Sequence, residues 1–228
     1  HTYWFLIMRA DLNVKRGDVA AVKGKRIGAA PLIDIGLIEL LKEYGIDPKR
    51  DGVQIAPPPM PANPAGVSFG VNAAKAMEEG KIDGFWANGM GAEVAVKRGL
   101  GTMVLDARRG DGPASLRGYT FGVLATRAEL VEKEPEKAKG ALRALIKTQK
   151  ALKADPSIAT KVGEKWFPPY EASLIATLIE RDLPYYDPTI TKETFDKMCR
   201  FVQTTGLAKG LGKYEDVVAT QFSDLWKS

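Results

Sequence analysis

The fold is decided by residues 26–45, which read RIGAAPLIDIGLIELLKEYG. Residues 26–30 predict a short strand. After Pro31, apolar residues recur at positions i, i+3 and i+4, which predicts a helix with one broad buried face. Gly45 ends this helix because glycine readily takes the left-handed cap conformation. A strand followed directly by a helix is the unit from which α/β folds are built.

The same alternation continues outward from this stretch to residue 106. We expect strands at residues 53–56, 83–87 and 102–106, and helices at residues 72–79 and 92–98. Short connections between these elements favour a parallel sheet covered by helices, with right-handed crossovers. Apolar runs at residues 3–9 and 119–126 predict two further strands.

The pattern changes after Leu130, where only helical spacing is found. Pro135 suits a helix N-terminus, and helices are also expected at residues 170–181, 191–205 and from Tyr214 onward. The predicted organisation is therefore an α/β lobe over residues 1–126 and an all-helical region over residues 127–228.

The composition excludes several kinds of site. The chain has 228 residues, of which 45% are hydrophobic and 27% charged, as in ordinary globular proteins. Its one cysteine, Cys199, and one histidine, His1, cannot form an intrachain disulfide or a Cys/His zinc site. No dinucleotide fingerprint or phosphate-binding P-loop is present. The composition therefore argues against most familiar hydrolase chemistry and against dinucleotide or triphosphate binding, and we expect no metal and no cofactor.

Charge and hydropathy also limit the kinds of partner that we expect for the protein. The net charge is +5, but basic and acidic residues are interspersed. A nucleic-acid binder usually clusters its basic residues on one face, so we expect no nucleic-acid partner. The chain lacks any run of about 18 apolar residues, so direct membrane insertion is not expected.

The candidate site lies where the strands of the sheet end. In an open parallel sheet, ligands bind beyond the carboxyl ends of the strands, where helix N-termini present free N–H groups. Ring faces, an amide, a hydroxyl and small residues in these loops are typical of a small-molecule pocket. The candidate ligand-binding residues are Ala30, Pro31, Ile33, Asp34, Ser68, Phe69, Trp86, Asn88, Met90 and Tyr119.

Structural roles compete with ligand binding at three of these positions. Trp86 is equally a candidate core residue, because large aromatic side chains fill cores. Asn88 with Gly89 forms a turn signal, and Asp34 is placed to cap the helix that follows it. These alternatives stay open at the level of sequence.

Several segments resemble ABC-transporter solute-binding proteins of the NMT1/THI5-like family, which bind sulfonates, nitrate and pyrimidine precursors. The segments are VKGKRIG (22–28), LLKEYGIDP (40–48), AAKAMEEGKID (73–83) and EPEKA (134–138). The resemblance covers residues 1–225 as an ordered series rather than through any single motif.

The resemblance implies a two-lobed, hinged α/β fold of the periplasmic-binding-protein type II class. It implies capture of a small solute between the lobes and delivery to the membrane subunits of an ABC permease, in the periplasm and without catalysis or cofactor. Residues 3–9 and 119–126 match the segments that cross between lobes, and residues 127–228 would complete the other lobe.

The sequence departs from the family pattern at its start. The family has further β–α units before the position of residue 3, so the N-terminal part of the first lobe is expected to be missing from this chain. Part of the ligand contacts would be missing with it. We therefore expect the 228-residue chain alone to bind ligand weakly by calorimetry.

Two alternatives to a solute receptor remain. One is a pyrimidine-precursor enzyme on the same scaffold, which the single Cys199 and terminal His1 disfavour. The other is the ligand-sensing domain of a transcription regulator. The cleft loops favour an aromatic, heterocyclic or sulfonate-like ligand, with Arg108, Arg109 and Arg117 as candidate partners for an acid group.

Overall fold

Strands and helices alternate through the first half of the chain in the computed structural model, which describes residues 4–60, 68–114, 118–119, 122–210 and 212–226. The strands are β1 (Phe5–Arg9), β2 (Arg26–Ala29), β3 (Gln54–Ala56), β4 (Gly84–Ala87) and β5 (Gly101–Asp106). The helices between them are α1 (Asp34–Glu43), α2 (Phe69–Glu78) and α3 (Gly89–Lys97). The helices that follow are α4 (Ala128–Lys133), α5 (Pro135–Ala154), α6 (Ser157–Gly163), α7 (Pro169–Asp182), α8 (Lys192–Thr204), α9 (Tyr214–Val217) and α10 (Ser223–Trp226).

The chain divides into two compact units. The first, which we call the sheet unit, comprises Tyr3–Arg117 and Pro168–Leu174. The second, the helical unit, comprises Gly118–Phe167 and Ile175–Ser228, together with His1–Thr2. Among the described helices, none is both long and apolar enough to cross a lipid bilayer.

The sheet is mixed, which corrects the wholly parallel arrangement expected from the sequence. Its strand order is β3-β2-β4-β1-β5. Strand β2 pairs in parallel with β3 and β4, whereas β1 lies between β4 and β5 and runs antiparallel to both. Because β1 is central, both of its faces are buried, and its apolar pattern carries no information about strand direction.

The core lies on both faces of the sheet, and β1 contributes to each. Leu6 and Met8 pack on the side of α1, whereas Phe5 and Ile7 pack on the side of α2 and α3. All four side chains are 0% exposed. At about 1.5–3 kcal/mol for each buried side chain, β1 alone contributes roughly 6–12 kcal/mol, as much as the net stability of a whole domain.

An ion pair joins β2 to β4 where these strands begin. Asp83 Oδ2 accepts hydrogen bonds from Arg26 N at 2.9 Å and Nε at 3.0 Å, and Asp83 Oδ1 accepts one from Arg26 Nη2 at 2.8 Å. The hydrogen bonds from Arg26 hold the pKa of the Asp83 carboxyl below its usual range, against the opposing effect of burial. Asp83 therefore stabilises the pairing of β2 with β4.

Helices α2 and α3 cross at a contact between two glycines. A Cβ atom at Gly91 would lie 2.4 Å from the carbonyl carbon of Gly70, closer than real Cβ contacts allow. The backbones of the two helices therefore touch with no side chain between them. This contact brings the first turn of α2 against the first turn of α3.

The helical unit is held by a small set of aromatic and aliphatic side chains. The ring of Phe195 in α8 meets the ring of Tyr214 edge-on at 5.6 Å, and Tyr214 Oη donates a hydrogen bond to Ile190 O at 2.5 Å. Buried apolar side chains of this unit are Ile146, Ile175, Ile179, Phe195, Val218 and Phe222. By contrast, Trp166 is 79% exposed.

The strand expected at residues 119–126 is not found in the described part of that segment. Tyr119 and residues 122–126 have no regular secondary structure, and residues 120 and 121 lie outside the described residues. Residues 122–126 are exposed. A strand needs a hydrogen-bonded neighbour, and the described residues of the helical unit contain no other strand for it to pair with.

We expect Gly91→Ala to destabilise the protein by about 1–3 kcal/mol, because the added methyl group must push α2 and α3 apart. The matched control is Gly36→Ala, since Gly36 is likewise the third residue of its helix and its Cβ would meet only Trp86 Nε1 at 3.9 Å. The control should unfold at the same urea concentration or a higher one. Equal stability of the two variants would contradict the glycine contact.

We expect Asp83→Asn to destabilise the protein at neutral pH by about 1–3 kcal/mol, because Arg26 loses its charged acceptor. A carboxyl whose folded pKa is lowered stabilises the fold above its unfolded pKa, and this contribution is lost as the pH falls through the lowered value. The difference from wild type should therefore shrink as the pH drops below about 4. Asp11→Asn, which removes an exposed partner of Arg9, serves as the control and should change urea unfolding little.

Candidate functional site

Three chain segments meet at one edge of the sheet unit. Strands β2 and β4 end there, and their pairing places Ala29 opposite Trp86. Because β1 runs the other way, its first residue, Phe5, lies opposite Ala87 of β4 and Asp106 of β5. The start of β1 is therefore at the same edge as the ends of β2 and β4, and we call this the carboxyl edge.

Helices begin at the carboxyl edge without the usual side-chain caps. Helix α2 follows Ser68 and α3 follows Asn88, both with extended backbone, and neither side chain accepts a hydrogen bond from its helix. Helix α1 follows Ile33, which has no polar group to offer. N–H groups in the first turn of a helix need acceptors, and the positive end of the helix dipole favours anions.

Asp34 partly takes the capping role that sequence analysis left open. Its Oδ1 accepts a hydrogen bond from Ile35 N at 2.9 Å, one residue further along α1. The carboxylate thus stabilises the first turn of α1 locally. Asp34 is half-buried at the carboxyl edge, so its position also remains consistent with the predicted binding role.

Among the described residues, two buried polar atoms at the carboxyl edge have no hydrogen-bond partner. They are Nε1 of Trp86, whose residue is 4% exposed, and Oδ1 of Asn88. A Cβ atom added at Gly36 would lie 3.9 Å from Trp86 Nε1, so this nitrogen is beside the first turn of α1. A Cβ atom added at Gly70 would lie 2.9 Å from Asn88 Oδ1, so this oxygen is beside the first turn of α2. Buried polar groups are nearly always paired, so one unsatisfied donor and one unsatisfied acceptor here need an explanation.

Trp86 is both a core residue and an edge residue. Its ring packs in the cluster that includes Leu37 and Leu40 of α1, as the core interpretation expected. Its other neighbour is Trp4, whose ring is stacked at 6.3 Å with an interplanar angle of 23°. Sequence analysis did not place Trp4 at the site, because only the antiparallel direction of β1 brings it to this edge.

Leu32 has a strained backbone in the turn between β2 and α1. Its φ is +71°, and Asn13 is the other described non-glycine residue with a positive φ. Asparagine tolerates this region, whereas for leucine it costs about 1–2 kcal/mol. The turn is held because Ala30 O accepts hydrogen bonds from Ile33 N at 3.1 Å and Asp34 N at 2.9 Å. The Leu32 side chain is 70% exposed, so burial does not offset the strain.

Arg108 lies near the carboxyl edge, but its charge is already paired within the protein. Arg108 Nε and Nη2 each lie 3.2 Å from a carboxylate oxygen of Asp106, and both side chains are almost fully buried. The guanidinium also lies 4.4 Å from the ring centroid of Phe5. Asp106 therefore neutralises the charge of Arg108. Arg109 is half-exposed with its Nε 3.4 Å from the same carboxylate, and Arg117 lies outside the described residues.

The structure places nine of the ten predicted site residues in the sheet unit. Phe69 and Met90 are half-buried against the core on the α2 and α3 side of the sheet. Each side chain therefore packs partly in that core. The nine are Ala30, Pro31, Ile33, Asp34, Ser68, Phe69, Trp86, Asn88 and Met90. Tyr119 belongs to the helical unit, where its ring meets Phe201 edge-on at 5.7 Å. Among the described residues, no three His, Cys, Asp or Glu side chains are grouped as metal ligands.

Comparison with known proteins identifies the fold. No family model and no curated protein sequence matches the chain. The sulfonate-binding protein SsuA of an ABC transporter from Methylobacillus flagellatus aligns with a TM-score of 0.64 and 18% identity over 98% of this chain and 65% of that one. The alkanesulfonate-binding protein SsuA from Xanthomonas axonopodis, bound to MOPS, aligns with a TM-score of 0.57 and 16% identity over 90% of this chain and 65% of that one.

The same fold is also found in an enzyme. The desulfurization enzyme DSZB aligns with a TM-score of 0.55 and 13% identity over 97% of this chain and 75% of that one. At these identities the likeness concerns the fold, and it confirms the predicted periplasmic-binding-protein class. The chain spans about 65% of the length of the two sulfonate-binding proteins.

We expect Arg108→Ala to lower the free energy of unfolding by about 3–5 kcal/mol, because the buried Asp106 carboxylate loses its buried guanidinium partner and keeps only the half-exposed Arg109 nearby. The neighbouring variant Arg109→Ala is the control. Its half-exposed side chain should contribute less than about 1 kcal/mol. Urea denaturation of both variants measures the difference, and similar small losses would show that Arg108 is not committed to Asp106.

Proposed function

We propose that this protein is the solute-binding receptor of an ABC-type uptake system, and that the carboxyl edge of the sheet unit holds one small organic ligand. The observation that carries the proposal is the pair of buried, unpartnered atoms, Trp86 Nε1 and Asn88 Oδ1, beside uncapped helix starts. A ligand that accepts from the indole and donates to the amide would satisfy both. The fold shared with sulfonate-binding proteins supports this role.

The chemistry of the edge favours a ligand with an acidic head and an apolar body. Uncapped N–H groups at the starts of α2 and α3 suit the oxygens of a sulfonate or carboxylate. The stacked rings of Trp4 and Trp86 suit a planar ring or an alkyl chain. Aromatic acids, heterocyclic acids and sulfonates all have this combination, and those that also carry an N–H or O–H group can donate to Asn88 Oδ1.

The proposed setting follows from the same role. The receptor acts in the periplasm and delivers its ligand to the membrane subunits of a permease, with no nucleic acid or cofactor involved. The grouped side chains of the carboxyl edge bind through hydrogen bonds and ring faces, which is what capture without chemical change requires.

The test is isothermal titration calorimetry on the protein expressed from its complete reading frame. The panel contains alkanesulfonates, benzenesulfonate, MOPS, aromatic carboxylates and pyrimidines. We expect at least one compound to bind with a Kd of about 10 μM or lower, as a specific site should. A stable, folded protein that binds no compound of the panel would contradict the proposal.

We expect Trp86→Phe to weaken binding of the best ligand about tenfold, because phenylalanine keeps a ring but lacks the N–H donor. Asn88→Ala should have an effect of similar size, through loss of the acceptor, on a ligand that carries an N–H or O–H group. The matched control is Trp166→Phe, since Trp166 is 79% exposed in the helical unit. Unchanged affinity in both edge variants would remove the carboxyl edge as the site.

A second candidate is an enzyme, which the likeness to the desulfurization enzyme favours. The test of this second candidate is whether the protein releases sulfite from the sulfonates of the same panel. A receptor returns its ligand unaltered, so any sulfite formed in proportion to time and protein would replace the receptor proposal with this one.

A further inference from the structure

Leu32 occupies a turn position that its side chain does not suit. Pro31 stands at the second position of a turn closed by the hydrogen bond from Ile33 N to Ala30 O, and Leu32 stands third with a φ of +71°. A turn with proline second and a positive φ third ordinarily has glycine or asparagine there. The local backbone therefore disfavours leucine at residue 32.

Packing within the sheet unit does not explain the leucine either. Its side chain is 70% exposed, the most exposed of the large apolar side chains in the described sheet unit. A strained backbone that carries an exposed apolar group is a combination found where a residue serves binding. The structure thus leaves the isobutyl group of Leu32 available at the surface and fixed in direction.

The position of Leu32 connects it to the unpartnered indole. Ala29, three residues earlier, pairs with Trp86 across the sheet, and Gly36 of the following helix has its Cβ position 3.9 Å from Trp86 Nε1. Leu32 lies on the short turn between these two contacts. Leu32 is therefore three and four residues from the two positions that adjoin Trp86, whose indole N–H is unsatisfied and more than nine-tenths buried.

We propose that Leu32 is a specificity-determining residue that contacts the apolar body of the ligand while the helix starts and Trp86 hold its polar head. This inference rests on the proposed function and adds to it a preference for ligands with a longer apolar part. Leu32 makes no contribution to the polar head, so its removal affects long ligands and spares short ones.

The experiment measures affinity by calorimetry for a series from methanesulfonate to hexanesulfonate, on the protein from its complete reading frame. Wild type should bind longer chains more tightly. In Leu32→Gly and Leu32→Asn the affinity for hexanesulfonate should fall about tenfold, since contact with one leucine side chain is lost. The affinity for methanesulfonate should change less than about twofold. Leu32→Met, which keeps an apolar chain, should stay near wild type.

Thermal unfolding separates this role from a structural one. Leu32→Gly and Leu32→Asn should unfold at the wild-type temperature or above it, because both residues tolerate a positive φ. Asn13→Gly, at the other positive-φ position, is the control and should leave affinity unchanged.

Two failures are distinguishable. If wild type binds the series and Leu32→Gly binds hexanesulfonate equally well, the role of Leu32 is overturned while the receptor function stands. If wild type binds neither this series nor the wider panel, the proposed function itself is overturned, and the inference with it.

Discussion

The complete burial of β1 is the constraint on which the sheet unit depends. Leu6 and Met8 enter one half of the core, Phe5 and Ile7 enter the other, and each is fully buried. Because β1 pairs with both β4 and β5, it joins strands that are not neighbours otherwise. Its antiparallel direction also decides what lies at each edge, since it brings Trp4 to the end where β2 and β4 terminate. The aromatic wall of the candidate site is thus a consequence of strand direction.

The two edges of the sheet differ in how completely their polar groups are satisfied. Where β2 and β4 begin, Asp83 receives several hydrogen bonds from Arg26, and the pKa of its carboxyl is lowered. Where these strands end, Trp86 Nε1 and Asn88 Oδ1 have no partner and the helix starts lack side-chain caps. Even there, Asp106 and Arg108 form a deeply buried charge pair, and Arg109 Nε lies 3.4 Å from the same carboxylate. Within the described part of the chain, the buried side-chain atoms left unsatisfied at this edge are therefore neutral ones.

Sequence patterns predicted the element order well and the positions of close contacts poorly. Strand β2 and helix α1 follow from the apolar spacing of residues 26–45, and glycine marks the helix end. Helices α2 and α3 begin three residues before the predicted starts, at Phe69 and Gly89, because Ser68 and Asn88 have extended backbone and glycine is tolerated just inside the helix. The contact of Gly70 with Gly91 joins residues far apart in the chain, so no local pattern signals it. The positive φ of Leu32 could not be predicted either, because leucine does not favour that conformation. Trp86 and Asn88, by contrast, could be identified from their place at the end of a predicted strand and directly after it.

The backbone contact between α2 and α3 has an entropic consequence. No side chain lies between Gly70 and Gly91, so no side-chain rotation allows the starts of α2 and α3 to shift relative to each other. The backbone N–H groups at the starts of α2 and α3 are thus already oriented in the folded protein. Binding a ligand there would cost the backbone little further conformational entropy. Such preorganisation lets a few hydrogen bonds yield more of their free energy as affinity.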